Sequence, residues 1–429
     1  MSISSPSQHS SQKKTPPDSP KLAPIPRMVW LIGIIMFCAN LASVIVYTYG
    51  GVYFKKMGFA SRHVGLIEGL AEGTSHIMKL ASGVLSDAYR RRKVLMMVGY
   101  GTIVMARYLM ALWSTFAFPV ILARMLDRIG NGIQAAPRSA LVGDISPPKR
   151  IGACYGLKRS LATMGSFAGA AVALLIMYTT NNNYRVLFAF PIIPVTIGFV
   201  LLLIRVKEPH QIKHAAVLSG IPSYAPKYRP KFSRANIKLL GGTFWKLMTV
   251  NFIFLLARMG ETFLVMYGRF SFHIDESFLP TIMMVFNASW SLASYPVGFI
   301  ADKMNRYWLL CLGMGTLILA NFVLCTAGGL VAFYFGIMLW GIQYGTTQNI
   351  FLSLINEIVP ENLRGTGIGV YWITCAIATV TCDYFVGLLV DVCGTMRAAF
   401  VMTGCVSVLG LMSLIVIMGY KIRTSPSGH

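Results

Sequence analysis

Fifteen residues, 123–137, read ARMLDRIGNGIQAAP inside an apolar stretch long enough to cross a bilayer. Arg124, Asp127, Arg128, Asn131 and Gln134 interrupt that stretch. At about 100° per residue these five side chains fall within roughly one third of a helix circumference, and Arg138 extends the stripe. A charge at bilayer depth costs ~2.5–3.5 kcal/mol on insertion scales, so the stripe is expected to face a water-filled, protein-lined cavity. Guanidinium groups placed there grip carboxylate or phosphate in a fork.

A second stripe answers it. Glu68, Glu72, His76 and Lys79 recur at i, i+4, i+8 and i+11, within a quarter turn of one helix. Counted inward from the same face, Glu68 matches the depth of Arg124, and Glu72 that of Asp127 and Arg128. Glu68–Arg124 and Glu72–Arg128 are therefore expected pairs, either a structural ladder or groups that exchange with protons or substrate. Further apolar stretches carry Asn40, Asn251, Arg258, Glu261, Gln343 and Asp383. Basic residues at membrane depth are Lys79, Arg107, Arg124, Arg128, Arg138, Lys158, Arg159, Lys246 and Arg258, against the acids Glu68, Glu72, Asp127, Glu261 and Asp383. That excess favours an anionic solute.

Other chemistries find less support. No nucleophile triad or phosphate loop is readable, so neither an enzyme nor an ATP-driven pump is expected. Thioether suits Cu(I), and His76-x-Met78 is the nearest fragment, but 24 scattered methionines read as adaptable packing. The eight cysteines form no CxxC pair and sit mostly in apolar runs, as small buried side chains do. No metal site and no cofactor is expected.

Apolar elements must position these residues. The chain is 55% hydrophobic and 12% charged, where soluble domains carry about 25% charged residues. Apolar stretches of ~20 residues recur at 28–52, 63–86, 94–115, 119–143, 151–178, 184–204, 243–268, 279–301, 307–327, 330–355, 365–389 and 396–420. Lys and Arg concentrate on alternate loops: the tail 1–27, Arg90–Lys93, Lys149–Arg150, the linker 205–242 and the tail 421–429. These should be cytoplasmic, with both termini inside. The net charge of +23 then reflects retention on that face, not nucleic-acid binding. Residues 1–27 have too few apolar residues to fold alone and lack a signal-peptide pattern. The linker is expected to lie solvated on an anionic membrane surface.

The halves 28–204 and 243–420 repeat. Gly83-x-x-x-Asp87 follows the second stretch and Gly298-x-x-x-Asp302 the eighth. Asp144-Ile145-x-Pro147-x4-Gly152-x3-Gly156 follows the fourth, and Glu357-Ile358-x-Pro360-x4-Gly365-x3-Gly369 the tenth. Such duplication points to two bundles with a site between them.

With these motifs the chain resembles the major facilitator superfamily from Met28 onward. The family's G-x-L-x-D-R-x-G-R-R loop reads Gly83-Val84-Leu85-Ser86-Asp87-Ala88-Tyr89-Arg90-Arg91-Arg92 here, with Ala88 and Arg90 as departures. Its R-x-x-Q-G-x-G-A-A motif reads Arg128-Ile129-Gly130-Asn131-Gly132-Ile133-Gln134-Ala135-Ala136. The resemblance implies an all-α membrane protein of twelve transmembrane helices in two pseudo-symmetric six-helix bundles. It also implies alternating access, with the first, fourth, seventh and tenth spans lining the cavity. Asn40, Arg124, Arg128, Asn131, Arg258 and Gln343 become expected solute contacts. Glu68, Glu72, Asp127, Glu261 and Asp383 become expected proton carriers. Gly83, Asp87, Arg91, Arg138, Gly298, Asp302 and Arg306 become expected gating residues.

The expected activity is secondary transport of a small organic anion, such as an organic acid, amino acid, phosphorylated metabolite or carboxylate siderophore, by proton symport. The fifth span has Gly165-x-x-x-Gly169 and lacks the Gly-Pro pattern associated with drug antiporters of this family. Efflux antiport and a non-transporting receptor of the same fold are the alternatives. The expected partners are the solute, protons and lipid, with no nucleic acid. The expected state is a monomer in a bacterial inner membrane.

Overall fold

The computed structural model describes residues 25–89, 91–147, 150–208, 235–301, 305–360 and 363–424. Its apolar stretches are helical, because a chain crossing lipid must satisfy every backbone N–H and C=O internally. The first half holds α1 (Arg27–Lys56), α2 (Ser61–Tyr89), α3 (Arg92–Trp113), α4 (Ala117–Ile145), α5 (Ile151–Thr179), α6 (Tyr184–Ala189) and α7 (Ile192–Arg205). The second holds α8 (Gly242–Leu256), α9 (Glu261–Ser271), α10 (Pro280–Ala301), α11 (Arg306–Thr326), α12 (Leu330–Ile358), α13 (Arg364–Cys393) and α14 (Arg397–Thr424). Among the described residues these fourteen α-helices make twelve spans, because α6–α7 and α8–α9 are each one span broken in two.

Both breaks differ from the continuous helices expected over 184–204 and 243–268. In the sixth span Pro191 and Pro194 lack the N–H that would continue the helical ladder. In the seventh, Gly260 turns extended (φ −62°, ψ 143°) and α9 restarts at Glu261. Helix ends also move. α1 runs on to Lys56, and α14 continues to Thr424, past the expected end at 420. Most of the expected linker, residues 209–234, lies outside the described residues, as do residues 1–24 of the expected tail.

Among the described residues, eight spans are long and apolar enough to cross a membrane by composition: α1, α3, α5, α6–α7, α8–α9, α11, α13 and α14. α2 and α4 are not among them, since they carry the two ionisable stripes. They are packed against each other, and α2 also against α13.

α1 packs on α5 and α7, and α4 on α3, in the first half. α12 packs on α10 and α11, and α14 on α11 and α8, in the second. The halves meet along α2–α13, α5–α10 and α1–α9. The α2–α13 crossing depends on glycine. Gly65, Gly69 and Gly73, one helical turn apart, back onto Asp383, Val380 and Ala376, and Gly387 backs onto Ser61. A Cβ at Gly69 would lie 3.1 Å from the Val380 Cα. Small residues at such a stripe let two backbones approach closely.

Candidate functional site

Between the halves lies a cavity of about 810 Å³. Its polar wall includes Asn40 and Tyr47 of α1, Glu68, Glu72, His76 and Lys79 of α2, Arg128 of α4 and Arg159 of α5. The second half contributes Arg258 and Glu261 at the α8–α9 break, Trp290 of α10, Tyr344 of α12 and Trp372, Cys375 and Asp383 of α13.

Both depth-matched pairs form, with different geometries. Arg124 holds Glu68 through Nε at 2.9 and 3.1 Å and Nη2 at 2.5 Å. Both partners are nearly buried, at 2% and 6% side-chain exposure. Arg128 reaches Glu72 by a single 3.3 Å contact, and a third of the Glu72 side chain is open to the cavity. Lys79 and His76 approach the other Glu72 oxygen at 3.9 and 4.0 Å. The first pair is a clamped strut; the second is a loose cluster that water and solute can reach.

Three expected solute contacts stand behind the wall. Arg124 is buried against Glu68 and Asp127. Asn131 donates to the Asp127 carbonyl at 2.9 Å and accepts from Gln134. Gln343 is fully buried and donates to Thr347 in its own helix. Asn40 does line the cavity, though its amide donates to the Ala162 carbonyl at 2.9 Å. Asp127 is also off the cavity. It is 1% exposed and takes a 2.6 Å contact from Arg107, a residue that sequence spacing did not pair with it. The basic excess read from sequence does not extend to the wall, which carries four acids and four bases.

The four bases share a feature that sequence reasoning missed: each lies over an aromatic ring. Lys79 sits 5.0 Å from the Trp372 centroid and Arg128 5.0 Å from Tyr47. Arg159 sits 4.4 Å from Trp290 and Arg258 3.3 Å from Tyr344. The rings are spread over four helices and look like ordinary apolar core in one dimension.

Asp383 anchors the break in the seventh span. Its Oδ1 accepts the Gly260 N–H at 2.7 Å, so a carboxylate of α13 satisfies a donor freed at the start of α9. Glu261 follows at the first position of α9, where an acid suits the helix dipole.

The halves are closed at the end away from the termini. Glu276 accepts from Lys56 at 2.6 Å and from the Tyr184 hydroxyl at 2.8 Å, both of the first half. The Tyr49 hydroxyl donates to its carbonyl at 2.8 Å. Asp391 of α13 accepts the backbone N–H groups of Ser61 and Arg62, both at 2.8 Å. It thus caps α2, a helix of the other half. Among the described residues, α4 has no packed interface with α12 or α13 at the opposite end. Ser139, in the last two turns of α4, and Ile368, in the first two turns of α13, line the cavity toward that end. Neither Glu276 nor Asp391 was expected from sequence, since each lies near a span end, outside the two ionisable stripes.

The expected gating residues are placed as follows. Gly83 faces Ala136, inside the first half. Arg91 is exposed, and its neighbour Arg92 pairs with Asp144 at 3.0 Å. Arg138 donates to Gln134 in its own helix at 2.7 Å. Arg306 pairs with Glu357, both in the second half. Gly298 lies in α10. Asp302 and the Asp87 side chain lie outside the described residues.

Residues 29–382 match the sequence model of the Major Facilitator Superfamily. The chain belongs to that superfamily. An uncharacterized MFS-type transporter of Methanocaldococcus jannaschii is 25% identical over 375 residues, covering 84% of this chain and 88% of that protein. Among solved structures, a POT family transporter in complex with a thioalcohol-conjugated peptide superposes with a TM-score of 0.74 at 13% identity, covering 93% of this chain and 97% of the other. A D-xylose–proton symporter gives 0.67 at 13% identity, covering 90% and 96%. The protein has the MFS fold and is a multi-pass membrane transporter.

Proposed function

We propose that this MFS protein is a secondary active transporter that moves a small organic anion together with protons by alternating access. The observation that carries the reading is the Glu72–Arg128 contact on the cavity wall. One guanidinium there serves two competing anions, the Glu72 carboxylate and an incoming solute. Protonation of Glu72 releases Arg128 for the solute; loss of the proton restores the internal pair and expels the solute. Proton and anion loading are thereby linked in the sense of a symport. The clamped Glu68–Arg124 pair, by contrast, is a scaffold, and Asp127 holds Arg107 and Arg124 behind the wall.

Arg128, Arg258 and Asn40 are the proposed solute contacts. Glu72 is the proposed principal proton carrier, with Asp383 and Glu261 at the seventh-span break as secondary ones. The distribution of loop charges supports cytoplasmic termini; on that reading the cavity opens inward, and the Glu276 and Asp391 contacts form the outer gate. Transport as a monomer fits a cavity built wholly within one chain.

Proteoliposome uptake under an imposed pH gradient tests the reading, using a panel of labelled organic acids, sugars and amines. The expected result is accumulation of acids that stops when an ionophore collapses the gradient. Accumulation unaffected by the ionophore defeats the proton coupling, and transport confined to sugars or amines defeats the anionic solute.

A further inference from the structure

The four cavity cations differ in what their donors reach. Lys79 and Arg128 are committed to Glu72 and its neighbours. Among the described residues, no ion pair includes Arg159 or Arg258. Both lie over rings, and the two rings touch each other: Trp290 and Tyr344 lie 5.4 Å apart, edge to face. The result is a continuous row. Arg159 of the first half lies on Trp290, Trp290 packs on Tyr344, and Tyr344 carries Arg258, with spacings of 4.4, 5.4 and 3.3 Å.

A guanidinium held over a ring by cation–π attraction has five N–H donors, more than the ring contact uses, and so can still bind an anion. A ring holds the cation in place yet offers no negative oxygen to those donors. The row therefore holds two guanidinium groups at its two ends, neither in an ion pair among the described residues and each lining the same cavity. A fork of donors of this kind matches one carboxylate or phosphate at each end. Between them lies an aromatic surface suited to an apolar midsection.

We propose that Arg159 and Arg258 form a two-ended site for an organic dianion: a molecule with two separated carboxylate or phosphate groups whose midsection lies along Trp290 and Tyr344. This rests on the reading of the cavity as an anion site and narrows it. Because Arg159 belongs to the first half and Arg258 to the second, such a solute bridges the two bundles.

The test is calorimetric binding at pH 7 to the purified full chain, with two matched series as probes. One comprises the dicarboxylates succinate, glutarate and adipate; the other, the monocarboxylates butyrate, pentanoate and hexanoate. The expected result is at least tenfold tighter binding of one dicarboxylate than of the monocarboxylate of equal length. Arg159→Gln and Arg258→Gln should each bring that dicarboxylate down to the monocarboxylate level, and Arg159→Gln should change monocarboxylate binding by about twofold or less. Arg159→Lys and Arg258→Lys keep the charge at each end and should recover part of the loss, which separates a lost contact from a misfolded chain. Equal affinity for the two series, or dicarboxylate binding untouched by either glutamine variant, overturns the two-ended site and leaves the anion reading intact. Binding of neither series by a chain that binds sugars or amines overturns both.

Discussion

Replacing Glu276 should open the end of the cavity that is closed here. The side chain is 5% exposed and receives Lys56 and Tyr184 from the opposite half. Arg269 also reaches it at 3.1 Å, but from its own half, so that contact survives when the halves part. Only the cross-half contacts bias the equilibrium. Lys56 is nearly half exposed, so its share is limited to ~0.2–1 kcal/mol. A hydroxyl donating to a carboxylate is worth ~1.5–3 kcal/mol when made and lost. Glu276→Ala therefore shifts the closed-to-open balance by about 2 kcal/mol, or roughly 30-fold at 1.4 kcal/mol per decade. Cys375 provides a native reporter, because it lines the cavity and is buried from bulk solvent. In a variant retaining only that cysteine, a membrane-impermeant maleimide applied from the far side should label it about 30-fold faster after Glu276→Ala. A change below twofold, with unfolding temperature preserved, would refute the assignment of Glu276 as the latch.

Three further outcomes follow from the packing. Arg107→Leu leaves the buried Asp127 carboxylate with only the 3.7 Å contact from Arg124 and should lower stability by up to ~3–5 kcal/mol, read as a drop in unfolding midpoint with no change in solute preference. Gly69→Val forces a side chain against Val380 and Asp383, an overpacking cost of ~1–3 kcal/mol borne by the closed far end. It should raise far-side labelling of Cys375 as Glu276→Ala does; unchanged labelling would mean that the glycine stripe is not part of the gate. Arg306→Ala breaks a pair that is 34% and 56% exposed and confined to one half, so it should alter stability by less than about 1 kcal/mol and leave transport intact. A large transport defect in that variant would restore a gating role for Arg306.

The ionisable ladder between α2 and α4 was legible because helical periodicity and depth are one-dimensional quantities. Counting residues inward placed Glu68 beside Arg124 and Glu72 beside Arg128. The same counting could not separate side chains lining the cavity from those one layer behind it, since Arg124 and Arg128 are a single turn apart on one stripe. Whether a guanidinium meets water or Glu68 is decided by the neighbouring helix. Arg107 and Asp127 escaped pairing because Arg107 is the lone charge of the stretch 94–115, with no stripe to match by depth against that of α4. The break at Gly260 had no proline to announce it; it is stabilised by Asp383, more than a hundred residues away. The latch at Glu276 and the cap by Asp391 are contacts between the halves, and sequence duplication indicates that two halves exist without showing which ends touch.

Proton movement accompanying solute uptake tests the role of Glu72 most directly. Proteoliposomes loaded with a pH-sensitive dye and given a transported organic acid outside should acidify internally with the wild-type chain. With Glu72→Gln the acidification should vanish, while exchange of labelled for unlabelled solute across the membrane continues. Acidification by Glu72→Gln equal to that of the wild type would show that the proton does not travel on Glu72 and would contradict the competition for Arg128.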